Sequence, residues 1–216
     1  MIQENLIKMY AQSFRDNWEL KSVSDYGTDT TFYFSDVAKE SAELHLLFEF
    51  FQIKKGDKIA LVGKDCARWS IAYMSVITYG AVIVPVLQDF NPNDIRHIIN
   101  HSESSFLFIS GKIWETIDTD RFEYVKGIVS LTDLTLVHSY INKETSTIKN
   151  ALSELFTQTY PNGYTKEDIN YKDVPNESII EINYTSGTTG FSKGVILTAN
   201  NLAGNVEYAK TLDLMF

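Results

Sequence analysis

Residues 184–195 read Tyr-Thr-Ser-Gly-Thr-Thr-Gly-Phe-Ser-Lys-Gly-Val, and no other stretch of the chain concentrates so many groups able to hold a ligand. Thr185, Ser186, Thr188 and Thr189 carry hydroxyl donors. Gly187 and Gly190 open backbone conformations that other residues avoid and let the main chain approach a ligand closely. Successive amide N–H groups in such a turn form an anion-binding concavity. Lys193 adds a mobile point charge, and hydrogen bonds from an ionised donor are roughly twice as strong as neutral ones. This composition suits a polyphosphate tail. It is not the Gly-x-x-x-x-Gly-Lys-Ser/Thr arrangement of other nucleotide loops, and a strand rather than a helix follows it, so a helix dipole contributes little. A polar hairpin without ligand is the plainer alternative, against which the number of fixed positions argues.

Other chemistry-bearing residues are weaker candidates. His97 and His101 stand four apart on one helix face, a spacing that binds metals, but no further His, Cys or acidic cluster accompanies them. Cys66 lies near a helix start with no visible partner. His45 reads as a surface or boundary residue, and His138 supports no assignment. Lys54, Lys55 and Lys58 flank a turn and read as solvated. Phe48, Phe50 and Phe51 read as core rather than as an acyl tunnel. No Gly-x-Ser-x-Gly elbow is present. We therefore expect no catalytic residue and no metal ligand within these 216 residues.

Positioning the loop requires a scaffold, and the chain alternates helical periodicity with short β-rich runs. Helices are expected over 2–16, over 35–52 with Ser35 as N-cap, over 66–79 capped by Asp65 and stopped by Gly80, over 92–101 led by Pro92, near 147–157, and from 199. Strands are expected over 58–62, 81–86, 106–109, 127–131, 178–184 and 194–198. Strands separated by helices of this length pair in parallel, and continuous apolar strands have both sheet faces covered. The expected class is α/β, doubly wound, a mostly parallel sheet flanked by helices, with ligands beyond the carboxyl ends of strands. The polar stretch 139–177 reads as a surface excursion or junction. It divides the chain into an α/β N-terminal subdomain, 1–177, and the start of the next subdomain, 178–216, which carries the loop.

The segment from Tyr184 to Val195 resembles the signature loop of the adenylate-forming superfamily, Tyr-Thr-Ser-Gly-Ser/Thr-Thr-Gly-x-Pro-Lys-Gly-Val, with Ser192 where proline is usual. Losing that proline adds chain entropy but removes no donor. Gly80-Ala81-Val82-Ile83-Val84-Pro85 and Ile53-Lys54-Lys55-Gly56-Asp57-Lys58 are similar to further family segments. Ile98-Ile99-Asn100-His101-Ser102-Glu103 resembles one common in long-chain fatty-acyl-CoA synthetases. Ala199 stands where relatives carry histidine. The resemblance implies an incomplete N-terminal portion of an ATP-dependent carboxylic-acid–CoA ligase, acting on a long-chain fatty acid through an acyl-adenylate. Thr185, Ser186, Gly187, Thr188, Thr189, Gly190 and Lys193 would hold the β- and γ-phosphates. ATP, Mg2+ and CoA are the implied cofactors of the whole protein, with the magnesium ligand and the CoA site outside these residues. The alternatives are an adenylation domain for an amino or aryl acid, and a nonenzymatic nucleotide- or protein-binding module. The chain ends on Leu-Met-Phe with no polar tail, which reads as a cut, implying an inactive fragment that self-associates through the surface so exposed.

Composition narrows the class further. A net charge of -9 and a pI near 4.9 argue against nucleic acid as partner. A hydrophobic fraction of 44% supports a substantial core. One cysteine and no signal sequence suggest a reducing, cytoplasmic setting, membrane-peripheral at most, since no run is long enough for a transmembrane segment.

Overall fold

A computed structural model of the chain describes residues 4–118, 122–141, 143–185 and 193–212. Helix α1 (Leu6–Asp16) leads into a two-stranded antiparallel hairpin, β1 (Lys21–Ser24) and β2 (Thr31–Tyr33). Then come α2 (Phe34–Phe50), β3 (Lys58–Val62), α3 (Ala67–Tyr79), β4 (Val82–Val86), α4 (Pro92–His101) and β5 (Ser104–Ile109). After these follow α5 (Gly111–Trp114), β6 (Gly127–Ser130), β7 (Leu136–Ser139), α6 (Thr145–Thr159), β8 (Ile179–Thr185), β9 (Lys193–Thr198) and α7 (Ala199–Lys210).

Among the described residues one seven-stranded sheet runs β7-β6-β5-β3-β4-β8-β9. Neighbours from β6 through β8 pair in parallel, and the two edge strands, β7 and β9, are antiparallel to their partners. The chain is thus the expected mostly parallel α/β sheet flanked by helices. The segment from 178 onward joins the same sheet, through the pairing of Ile83 with Glu181.

Side chains on successive strand residues point to opposite faces, and the apolar strands feed two cores accordingly. Ile59, Leu61, Ile83, Phe106 and Phe108 face one side, with Phe48 and Tyr79. Ala60, Val62, Val84, Leu107 and Ile109 face the other, with Ile95 and Ile98 of α4. Burying a Leu, Ile or Phe side chain is worth about 1.5–3 kcal/mol, so strands buried on both faces fix the sheet more firmly than any surface contact.

Helix ends account for several boundaries. Gly80 ends α3 in the left-handed region, φ 86°, its N–H returning to Ile77 and Val76 carbonyls. The side chain of Asn91 accepts the Asp94 N–H at 3.0 Å and Pro92 opens α4, where its missing N–H costs nothing. Two expected caps are corrected. The N-cap of α2 is Tyr33 rather than Ser35, because the Asp36 carboxylate reaches back to the Tyr33 N–H at 2.8 Å. The N-cap of α3 is Cys66 rather than Asp65, and the carboxylate that accepts the Ala67 N–H, at 2.6 Å, belongs to Asp25 in the distant β1–β2 connection.

The N-terminus is tied to the stretch just before β8. Asn5 donates from Nδ2 to the Val174 carbonyl at 2.7 Å, and Asn176 accepts the Leu6 N–H at 3.1 Å while donating to the Glu4 carbonyl at 2.7 Å.

Candidate phosphate-binding hairpin

The stem of the loop is the β8–β9 pair. Because β8 runs parallel to β4, its last residues emerge at the same edge as the carboxyl ends of the central strands, where ligands of such sheets bind. In the antiparallel register Tyr184 faces Gly194 and Thr185 faces Lys193. The pairing brings the first and last of the expected ligand residues opposite one another, both exposed. Ser186, Gly187, Thr188, Thr189 and Gly190 lie outside the described residues.

The stem is anchored on both faces. On one, the Tyr184 ring is buried and stands edge-on to His101, with ring centroids 5.8 Å apart, and its hydroxyl is hydrogen-bonded to His101 Nδ1 at 2.7 Å. Burial pushes the Tyr184 phenol above its ordinary range, so it keeps its proton at neutral pH. On the other face, Glu181 is 8% exposed and accepts the Tyr73 hydroxyl at 2.5 Å and the Asn183 side-chain amide at 2.6 Å. Burial first, then that hydrogen bond to Glu181, drives the Tyr73 hydroxyl far above the usual tyrosine range. Tyr73 is thus a permanent donor and the carboxylate stays satisfied.

Gly194 is required by packing. A Cβ there would stand 2.9 Å from Ile182 Cγ2 and 3.4 Å from the Tyr184 ring. Ile182 is β-branched and yields little at that atom.

Sequence reasoning did not single out Glu181, Tyr73, or the His101–Tyr184 bond. A carboxylate inside Ile-Ile-Glu-Ile, where the strand is otherwise apolar, was the available signal for the first. The third depends on α4 crossing β8, which no local pattern encodes.

The remaining sequence candidates have structural surroundings. The His97 and His101 rings lie 5.6 Å apart. Among the described residues no group of three or more His, Cys, Asp or Glu side chains converges as a metal site. His45 is a half-buried boundary residue: its Nε2 donates to the Ser75 carbonyl at 2.9 Å, and its ring lies among Phe48, Tyr79 and Tyr171. Phe48 and Phe51 are core residues stacked edge-on against Phe106. Lys55 donates to the Asp173 carbonyl and Lys58 pairs with Glu103 at 3.1 Å. His138 stands edge-on to Tyr140. Cys66 is a free cysteine at a helix N-cap.

The donor set flanking the loop, a hydroxyl and an ammonium, suits phosphate oxygens.

The α/β sheet places Thr185 and Lys193, the two ends of the Gly/Ser/Thr-rich segment, at the carboxyl edge of its parallel strands. Residues 9–215 match the model of the AMP-binding enzyme family, and the chain belongs to that family. It is 24% identical over 222 residues to a long-chain-fatty-acid–CoA ligase of Escherichia coli O6:H1, a match covering 94% of this chain and 38% of that protein. The chain therefore spans less than half the length of this curated relative. Among solved structures, the inhibitor-bound N-terminal domain of FACL13 from Mycobacterium tuberculosis superposes with a TM-score of 0.74 at 18% identity, covering 99% of this chain and 49% of that one. The anthranilate CoA ligase AuaEII in complex with anthranoyl-AMP gives 0.73 at 15% identity, covering 94% and 36%. Among the described residues no helix is long and apolar enough to cross a membrane.

Proposed function

We propose that this chain supplies the polyphosphate-binding hairpin of an ATP-dependent carboxylic-acid–CoA ligase acting on long-chain fatty acids. The observation that carries the reading is the register that sets Thr185 against Lys193 at the carboxyl end of β8. That geometry supports a turn whose hydroxyls and amides, from Thr185 through Gly190, close around the β- and γ-phosphates of ATP while the Lys193 ammonium neutralises their charge. In the whole protein, a carboxylate would attack the α-phosphate, forming acyl-adenylate and releasing pyrophosphate, and the thiol of CoA would then displace AMP. The contribution of these residues is orientation and charge stabilisation. The long-chain substrate is supported by the names of the curated relatives; an anthranilate CoA ligase is at least as similar in fold as a long-chain-fatty-acid-CoA ligase, so the fold does not choose the acid.

We further propose that the 216-residue chain binds nucleotide without turning over. We also propose that residues 178–216 begin a subdomain completed elsewhere in the whole protein, which would work in the cytoplasm.

Titration with ATP and with pyrophosphate tests the reading. Lys193→Ala should weaken both roughly tenfold or more, the loss expected for one charge-assisted bond. Equal affinities for the parent and Lys193→Ala would remove the hairpin from nucleotide binding. Pyrophosphate exchange by the chain alone would refute the proposal that it lacks turnover.

A further inference from the structure

One side chain touches both strands of the hairpin stem and the helix behind them. Tyr184 is the last buried residue of β8, directly before the exposed Thr185. Its ring lies over Gly194 of β9, where an added Cβ would meet Tyr184 Cζ at 3.4 Å. The hydroxyl then reaches α4, where it is hydrogen-bonded to His101 Nδ1 at 2.7 Å. The bond forms with either tautomer of the imidazole, since a phenol can donate to a bare ring nitrogen or accept from an N–H.

The sheet holds this end of β8 weakly. Among the described residues the ladder joining β8 to β4 registers one partner pair, Ile83 with Glu181, three residues before Tyr184. On its other side β8 pairs with β9, which is the edge strand. A hairpin held to the sheet at Glu181 alone would let Thr185 and Lys193 swing together. Helix α4 is a firm support by comparison. Its Ile95, Ile98 and Ile99 are buried in the core that also receives the Tyr184 ring, and Asn91 and Pro92 fix its start. His101 stands in its last turn.

We infer that His101 and Tyr184 are positioning residues for the phosphate-binding hairpin, a role that rests on the polyphosphate reading of the loop. The bond between them fixes the direction in which the chain enters the loop at Thr185 and leaves it at Lys193. Neither side chain need touch phosphate. The clamp acts by preorganisation: a loop already held in its binding geometry loses less freedom when the ligand arrives.

Titration of the 216-residue chain with pyrophosphate tests this. Tyr184→Phe keeps the ring and removes the hydroxyl, and His101→Leu removes its partner. Each should weaken pyrophosphate about three- to tenfold, the range of one net hydrogen bond. The double variant should lose no more than either. His101→Asn, whose side-chain amide stands where Nδ1 stood, should recover most of the loss. Ile148→Val, a core change on α6, is the control: it lowers stability and should leave the affinity where it was. Thermal unfolding establishes that each variant is folded at the titration temperature. Should Tyr184→Phe not fold, the two variants of the exposed His101 decide. Affinities of Tyr184→Phe and His101→Leu within about twofold of the parent, or losses that add in the double variant, would overturn the clamp. The polyphosphate reading would survive that result as long as Lys193→Ala weakens binding. Indifference of pyrophosphate to Lys193→Ala would remove the reading and the clamp together.

Discussion

His45 shows how a single ring registers its surroundings. Its Nε2 hydrogen bond to the Ser75 carbonyl requires the proton on that nitrogen, and the Thr78 hydroxyl stands 3.2 Å away. Burial first, with the nearby Lys172 charge adding to it, pushes the imidazolium down to about 4; the bond to Ser75 opposes this only partly. In the unfolded chain the ring titrates near its ordinary value of 6.5. The folded form therefore binds the proton less well. The contribution of His45 is complete above about 6.5, falls as pH drops toward 4, and is on the order of 2–3 kcal/mol. Urea unfolding at intervals from pH 7.5 to 4 should show a slope that His45→Gln reduces. Glu40 and Glu43, whose folded forms hold protons more tightly, act in the opposite sense over part of that window, so the difference between parent and variant is the quantity to compare. Identical slopes in the two proteins would mean that the ring is not desolvated as described.

At the scale of elements, the β8–β9 stem carries the sharpest expectation. Valine favours strands by propensity, yet Gly194→Val should destabilise the chain by about 1–3 kcal/mol, since its Cβ must displace Ile182 or the Tyr184 ring. Thermal unfolding measures the loss, and nucleotide titration of the surviving fold should show it weakened as well. A variant as stable as the parent would mean the strands splay at that pair. The central strands were legible in the sequence for a simple reason: Ile59 through Val62 and Phe106 through Ile109 are buried on both faces, so their runs are unbroken and apolar. The β1–β2 hairpin and β7 were not. Lys21-Ser22-Val23-Ser24 is polar, and β7 is a short antiparallel edge strand with exposed positions that looks like any loop. The caps at Tyr33 and Asp25 escaped for another reason: one is a tyrosine backbone served by an aspartate three residues on, the other a carboxylate 42 residues away. In the candidate site, the two strands flanking the loop were legible, because their antiparallel pairing across a short glycine-rich segment is a local matter. The supports under the stem, His101 and the Tyr73–Glu181 pair, come from other elements and appear only once the chain is folded.

At the scale of the molecule, β9 is the last strand of the sheet, and two of its apolar side chains are open: Val195 is 47% and Ile196 57% exposed. Beside it, Ile179 and Tyr208 are exposed as well. An unpaired edge bearing apolar groups is a template for association. Light scattering should find the 216-residue chain self-associating as its concentration rises, with Ile196→Lys shifting it toward monomer. A monodisperse monomer at high concentration would argue against this. The clamp at the other end of the chain has a consequence for how the protein is made. Asn5 and Leu6 find their partners in Val174 and Asn176, at separations of 169 and 170 residues. On a ribosome adding about 5–20 residues per second, the first helix emerges and then waits roughly 10–30 s for the segment that seats it. Through that interval the start of α1 lacks its final hydrogen-bond partners, although Phe14 already has Phe34, Val37 and Ala38 to pack on. The last seating of α1 is thus a late event in synthesis, while its apolar face can pack as soon as α2 emerges.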